Sequence, residues 1–312
     1  MEKRRKRIAM ALVCLMLSLG FASAQVNLVF NPEVDTKYEY TTEIRQDTKQ
    51  SFMGKDLPIK EDVKVIRILE IKRKTEKEVV AQFTNKDVSY QLTSDMLTMG
   101  YNSQKQAANA TGLDTMLEKT FRNATDIPYM LSITSAGSVT SVTGLDKITD
   151  RIKKSVTDYG EMGEMLSSTM TKEWLGEDAV KGMVEQSLNI YPPNPVNTGD
   201  KWTKQSSYIV YSAFMGSSKK STVKSTYTLK EINNDVATIT VEATVDIGPD
   251  GGFEGSLSGR QTGVLLVDTK TGIPSSSDLK LTLKGTVKQQ NMQLQMELTA
   301  DIKTTINFNM SP

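Results

Sequence analysis

Residues 291–308 read "NMQLQMELTADIKTTINF". Met292, Leu294, Met296, Leu298, Ala300, Ile302, Ile306 and Phe308 fall on one phase of a two-residue period, with mostly polar residues on the other. Successive side chains of a strand point to opposite faces, so a period of two held this long describes a long, curved strand with one buried face. The stretches before it repeat the pattern. "VATITVEATVDI" (236–247) sets Ala237, Ile239, Val241, Ala243, Val245 and Ile247 against Thr238, Thr240, Glu242, Thr244 and Asp246, and "DLKLTLKG" (278–285) aligns Leu279, Leu281 and Leu283. "VDTKTGIP" (267–274) is a hairpin signal, because Asp268 starts a turn, Gly272 accepts a left-handed backbone and Pro274 limits further pairing.

The opening third has the same texture. "VNLVF" (26–30), "KYEYTTEIRQ" (37–46), "DVKVIRILEIKRK" (62–74) and "EVVAQFTNKDVSYQL" (78–92) are β-branched and aromatic runs separated by Gly, Pro, Asp and Lys. They predict antiparallel strands with one wet face. The middle third differs. "SQKQAANATGLDTMLEKTFRNA" (103–124) and "LDKITDRIKKSV" (145–156) read as helices, with "PYMLSITSAGSVTSVTG" (128–144) a short hairpin between them. From 161 to 188, Met162, Leu166, Met170, Trp174, Val180, Met183, Val184 and Leu188 recur at spacings of mostly three and four, as on amphipathic helices. "YPPNP" (191–195) ends the run, since its prolines cannot continue a helix.

A phrase repeats where each β region begins. "NPEVDTKYEY" starts at Asn31 and "NPVNTGDKWTK" at Asn194, and each is followed by a further rhyme, "FMGK" at Phe52 and "FMGSSKK" at Phe214. The repeat predicts two related antiparallel halves flanking a helical insertion. Limited turn chemistry would also make two turn-then-strand segments look alike. The fold expected is α+β: two related antiparallel sheets, or one large curved half-barrel sheet, with the helical segment inserted between the β halves and packed on the sheet. The divisions expected are a signal peptide at 1–24, an N-terminal β half at 25–103, a mainly helical insertion at 104–190 with the hairpin near 128–142, and a C-terminal β half at 191–312.

The first residues predict export. "MEKRRKR" is a basic segment, "IAMALVCLMLSLGF" an apolar one shorter than a bilayer-spanning helix needs, and "ASA" (22–24) a small-x-small cleavage site. The lone cysteine, Cys14, lies inside the apolar run behind Leu12 and Val13, a poor match to a lipoprotein signal. Cleavage leaves a chain in the periplasm or outside the cell. Residues 1–24 hold five of the 38 Lys+Arg and one of the 37 Asp+Glu, so the mature chain carries a net charge of −3. That balance offers nothing to nucleic acid or to anionic membranes. The mature chain also has neither cysteine nor histidine. Disulfides, thiol nucleophiles, Ser-His dyads and the usual zinc sites are therefore excluded, and any catalysis would rest on carboxylates, Lys, Tyr or a Ser-Lys pair.

Four constellations of side chains offer candidate sites. Methionines on the helix stripes and the last strand suit an adaptable apolar lining, and equally a core filled where helices meet a sheet. The candidate lining is Met162, Leu166, Met170, Trp174 and Met183 from the helices with Met292, Leu294 and Met296 from the strand. The acidic groups Asp146, Asp150, Glu161, Glu164, Glu173, Glu177 and Asp178 lie among lysines and read as a solvated helix face rather than an acid/base pair. Asp246, Asp250 and Glu254 among glycines offer oxygen ligands, but the spacing fits no EF-hand, and turn-rich connections use the same residues. Tyr38, Tyr40 and Trp202 beside lysines could stack on sugars or peptides, or pack on their own hairpins. No catalytic residue, metal or cofactor is expected.

Together, the signal, "PVNTGDKW" (195–202) and "DTKTGIPSSSDLKLTLKG" (268–285) resemble uncharacterised exported β-rich proteins, a family with a domain of unknown function in the Bacteroides group. The resemblance implies a periplasmic or surface protein with no assigned activity. The architecture is also similar, more distantly, to half-barrel lipid and lipoprotein carriers, in which a curved sheet cups helices around an apolar ligand. The function expected is a non-catalytic, carrier-like binding module for an apolar small molecule or an envelope protein partner. A structural or envelope-assembly protein with a filled core is the alternative, and a carboxylate-based hydrolase a third. A binding module requires a sizeable pocket between sheet and helices, whereas a structural protein requires none.

Overall fold

The structure is a computed structural model that describes residues 25–52, 54–95, 97–103, 113–173, 175–210, 219–248, 254–289 and 292–307. The expected signal peptide, Trp174, the second rhyme at Phe214, Asp250 and Phe308 lie outside the described residues.

Among the described residues, twelve strands form one sheet: β1 (Lys37–Phe52), β2 (Lys55–Lys74), β3 (Glu78–Ser94), β4 (Thr98–Asn102), β5 (Pro128–Thr134), β6 (Val139–Thr143), β7 (Lys201–Val210), β8 (Lys219–Asn233), β9 (Val236–Ile247), β10 (Glu254–Asp268), β11 (Pro274–Gln289) and β12 (Met292–Asn307). Their order is β6-β5-β3-β2-β1-β12-β11-β10-β9-β8-β7, with β4 also paired to β3. Neighbouring strands run antiparallel throughout, and the sheet is open and curved. The choice between two sheets and one is settled by β1 and β12. They pair from Glu39↔Asn307 to Ser51↔Gln295, so the opening and closing thirds share one ladder.

The repeated phrase leads into β1 at the middle of the sheet and into β7 at its edge, so the two halves do not repeat in topology. What does repeat is the backbone. Asp35 takes φ 63° three residues before Tyr38, and Gly199 takes φ 93° three residues before Trp202. The first copy places an aspartate where the second has glycine, and both turn left-handed there. The segment "VNLVF" is not a strand of the sheet. Val26 makes one bridge with Val196, while Phe30 N donates to Ser135 O (2.8 Å) and Asn31 N to Thr271 O (2.7 Å). Its amides are thus divided among three separated segments. The result is a strap across one end of the sheet, with Leu28 and Phe30 buried beneath it.

The helices are α1 (Leu113–Asn123), α2 (Leu145–Ser155), α3 (Gly160–Glu173) and α4 (Glu177–Leu188). Ile148 and Ile152 of α2 and Val180, Val184 and Leu188 of α4 join Tyr38, Leu69, Ile71, Tyr227, Ile239 and Ile306 in the main core. That core draws on both outer thirds and the middle together. A second cluster (Val223, Val245, Leu257, Leu283, Met296, Leu298) consists of strand residues alone, and a third packs Leu117 and Phe121 of α1 on Tyr90, Leu92 and Tyr101. Among the described residues, no helix is long and apolar enough to cross a membrane.

The terminal strands β6 and β7 do not pair with each other, and α4 packs against both. Glu185 Oε1 accepts from Val139 N (2.8 Å), satisfying an amide on the β6 edge, and Trp202 Nε1 donates to Ile190 O (2.7 Å) just beyond the helix. Exposed strand edges invite pairing with other chains, and a covering helix is one remedy. Gly137, at φ +82°, passes so close under the end of α4 that a Cβ would lie 1.7 Å from Leu188 O.

Candidate functional site: a niche between the sheet and α4

Strand register puts the site together. Tyr40 of β1 stands opposite Arg67 of β2, and Thr42 stands opposite Thr304 of β12. Because i and i+2 share a face, Tyr40 and Thr42 point to the same inner side. Thr42 Oγ1 and Thr304 Oγ1 lie 3.2 Å apart and share a hydrogen bond. Phe83 extends the wall on β3, stacked on Tyr129 at 5.9 Å between centroids. Met183, Val184, Ser187 and Leu188 of α4 close the other side, and the space between is about 40 Å³. That admits a few water molecules.

Two groups in this wall lack the partners their burial calls for. Among the described residues the Tyr40 hydroxyl has no hydrogen-bond partner, and burial pushes its pKa up. Arg67 Nε donates to Asn85 Oδ1 (3.1 Å), and among the described residues no carboxylate pairs with the guanidinium. Burial pulls the Arg67 pKa down, yet an arginine stays charged at physiological pH. Arg67 keeps part of its surface accessible and lines the niche. A charge removed from water without an opposite charge is costly, so a cation held this way is poised for an anion.

Further along the same inner face lies Glu61, opposite Gln46. Burial pushes its carboxyl up, while Tyr90 Oη (3.1 Å) and Gln46 Nε2 (2.5 Å) donate to it and oppose that shift. Six residues of strand, about 20 Å at the usual rise, separate it from Arg67, so the two do not neutralise each other. Glu61's described hydrogen-bond partners are neutral, which is not the arrangement of an acid/base carboxylate pair. Asp146, Asp150, Glu161, Glu164, Glu177 and Asp178 are exposed. Among the described residues, no three acidic, histidine or cysteine side chains gather as metal ligands.

Of the expected apolar lining, Met183 lines the niche, while Trp174 and the side chains of Leu166, Met170 and Met292 lie outside what is described. Met162 is 58% exposed, as is its neighbour Met165 at 66%, while Gly163 and Ser167 on the same helix are buried. A Cβ on Gly163 would lie 2.1 Å from Val156 O, so α3 approaches the turn that follows α2 by its small residues, and Met162 faces outward. Leu166 and Met170 belong to α3 by backbone, and Met292 opens β12. Leu294 and Met296 are buried on the inner face, but Met296 sits in the strand-only cluster, eight residues and about 26 Å of strand from Thr304. Tyr38 is buried in the main core, and Trp202 stacks on Tyr227 of the next strand at 5.7 Å, packed on its own hairpin. The residue the sequence reading passed over is Arg67. In "DVKVIRILEIKRK" it lies in phase with Val63, Val65, Leu69 and Ile71, and a charge on the inward phase was the signal available.

A family model described as "Family of unknown function (DUF6263)" matches residues 76–274, and the chain belongs to that family. No curated protein matches it. Among solved structures, one of lipovitellin, concerned with lipid–protein interactions, is 9% identical with a TM-score of 0.47, covering 91% of this chain and 26% of that one. A DUF1329 family protein from Desulfovibrio piger is 10% identical with a TM-score of 0.17, covering 89% and 88%. The outer membrane protein OprG from Pseudomonas aeruginosa is 4% identical with a TM-score of 0.20, covering 88% and 97%. Likenesses this low leave function to be argued from the residues.

Proposed function

We propose that this DUF6263 member is an exported, non-catalytic binding module that takes a small, largely apolar ligand between the inner face of the curved sheet and α4. The observation that carries this reading is the niche, where, among the described residues, the buried Tyr40 hydroxyl has no hydrogen-bond partner and the half-buried Arg67 guanidinium has no carboxylate partner, beside Phe83, Met183 and Leu188. A native core satisfies nearly all its buried polar groups, so an exception that faces a niche calls for an explanation, and a bound group is one. A ligand larger than a few waters must displace part of the α4 face. Met183 supplies the unbranched, adaptable side chain for that. Native mass spectrometry of the protein purified from its own cell envelope tests the reading. The expected result is a mature chain starting near Gln25 with a co-purifying small molecule. A bare mass, with no melting shift on adding medium-chain alcohols or carboxylates, would overturn it.

The small free volume favours a second reading, a structural envelope protein with a filled core. That reading requires the bare mass and the unshifted melting curve.

A further inference from the structure

The unpaired guanidinium narrows the ligand class. We propose that Arg67 and Tyr40 hold the oxyanion headgroup of an amphiphile, a carboxylate or a phosphate, with its apolar chain against Met183, Val184 and Leu188. The inference rests on the binding reading above and adds the sign of the ligand's charge.

Three features of the niche converge on this. Arg67 carries a planar fork of donors, of which Nε is engaged by Asn85. The remaining fork suits the paired oxygens of a carboxylate or phosphate, which an arginine grips bidentately. Tyr40, its cross-strand neighbour, brings a hydroxyl with no partner, so an oxyanion would satisfy both groups at once. The Thr42–Thr304 hydroxyl pair supplies one further donor along the wall, the O–H not used between the two. No carboxylate among the lining residues competes for the cation, and four of the nine, Phe83, Met183, Val184 and Leu188, are hydrophobic. An apolar wall meeting a single unpaired cation recognises one charged end on an oily body. A free anion would gain nothing from the apolar side, and a neutral lipid would leave the guanidinium unpaired.

The test is calorimetric titration of the purified protein with dodecanoate, dodecyl phosphate and dodecanol below their micellar concentrations, and with acetate and inorganic phosphate alone. The expected result is that dodecanoate or dodecyl phosphate binds at least about tenfold more tightly than dodecanol, with acetate and phosphate far weaker. Arg67→Gln should bring the charged amphiphiles to the level of dodecanol, and Tyr40→Phe should weaken them by a smaller factor while leaving dodecanol unchanged. Equal binding of dodecanol and dodecanoate overturns the headgroup inference and leaves the apolar-ligand reading standing. Acetate or phosphate binding as tightly as the amphiphiles assigns the niche to a free oxyanion and overturns the amphiphile. Binding of none of them overturns both. Circular dichroism confirms that each variant folds, and if Arg67→Gln does not, the wild-type comparison of dodecanoate with dodecanol decides the matter.

Discussion

Arg67 occupies a position where strand alternation calls for an aliphatic side chain, between Val65 and Leu69 on the inward phase of β2. A residue kept there for stability would be apolar. Arg67→Met, of similar length and without charge, is therefore expected to stabilise the empty protein by about 1 kcal/mol, because a half-buried cation with no carboxylate partner among the described residues gives way to a packed hydrophobe. Urea denaturation measures this, and a loss of stability would mean that the guanidinium already has adequate partners. Glu61 gives a pH dependence of defined sign. Its folded-state pKa is raised by burial, so the native chain holds that proton more tightly than the unfolded chain. Stability from this group is therefore greatest below the ordinary glutamate range, about 4.3, and falls as pH climbs from there through the raised value. Asp56 and Glu297, held down by Lys49 and Lys284, act oppositely and lose their contribution as pH falls. Glu61→Gln should thus gain stability relative to wild type as pH rises across that window, then hold a constant difference above it. Chemical denaturation at stepped pH would show the trend, and a difference independent of pH would contradict it. Both Arg67 and Glu61 are visible in the sequence as polar breaks in the inward phase. Their company was not visible, because cross-strand partners such as Tyr40 and Gln46 depend on register.

At the scale of elements, periodicity identified the strands and the α4 stripe, since Val180, Val184 and Leu188 are buried and Met183 is partly so. It misdirected α3. A helical stripe reports that apolar residues share a side, not that this side faces the core, and α3 packs by Gly163 and Ser167 instead. Close approach selects small residues, which a hydrophobicity pattern records as blanks. The same logic governs the β10–β11 turn. Gly272 takes φ +71°, a Cβ there would lie 1.9 Å from Val29 O, and its own carbonyl accepts the Tyr191 hydroxyl. Asp268 Oδ1 accepts from Thr271 N (2.7 Å) and Lys270 N (3.1 Å), fixing the turn so that the strap can cross it. The turn chemistry was legible in "DTKTGIP", but the strap that leans on it was not. Gly272→Ala is expected to cost about 2 kcal/mol or more, combining left-handed strain with a clash against backbone that cannot rotate away. Gly54, also left-handed at φ +76° but with nothing within 4 Å, is the control, and Gly54→Ala should cost about 1 kcal/mol. Thermal melting of the two variants ranks them, and equal losses would mean that the strap does not press on the turn.

For the whole molecule, the decisive link is that β1 and β12 pair along most of their length, so the first and last described strands meet at the centre of the sheet. The strap carries the N-terminal segment from Val196 past the turns at Ser135 and Thr271, and α4 lies on both terminal strands. Neither half can leave without exposing the main core, which both halves and α2 and α4 line. Larger chains often unfold domain by domain, through populated intermediates. Here the shared core argues for one transition across all the strands that line it. Trp202 fluorescence, read in a Trp174→Phe background so that it watches an edge strand alone, and far-UV circular dichroism, which watches the whole sheet, should therefore give superimposable urea curves. Phe30→Ala should shift both curves together by about 3 kcal/mol or more, because the phenyl ring is buried where the strap crosses and its removal leaves a cavity. If the fluorescence transition instead preceded the other and Phe30→Ala moved only one of them, the halves would be separate folding units. The niche between β1, β2, β12 and α4 would then open on its own, rather than with the protein as a whole.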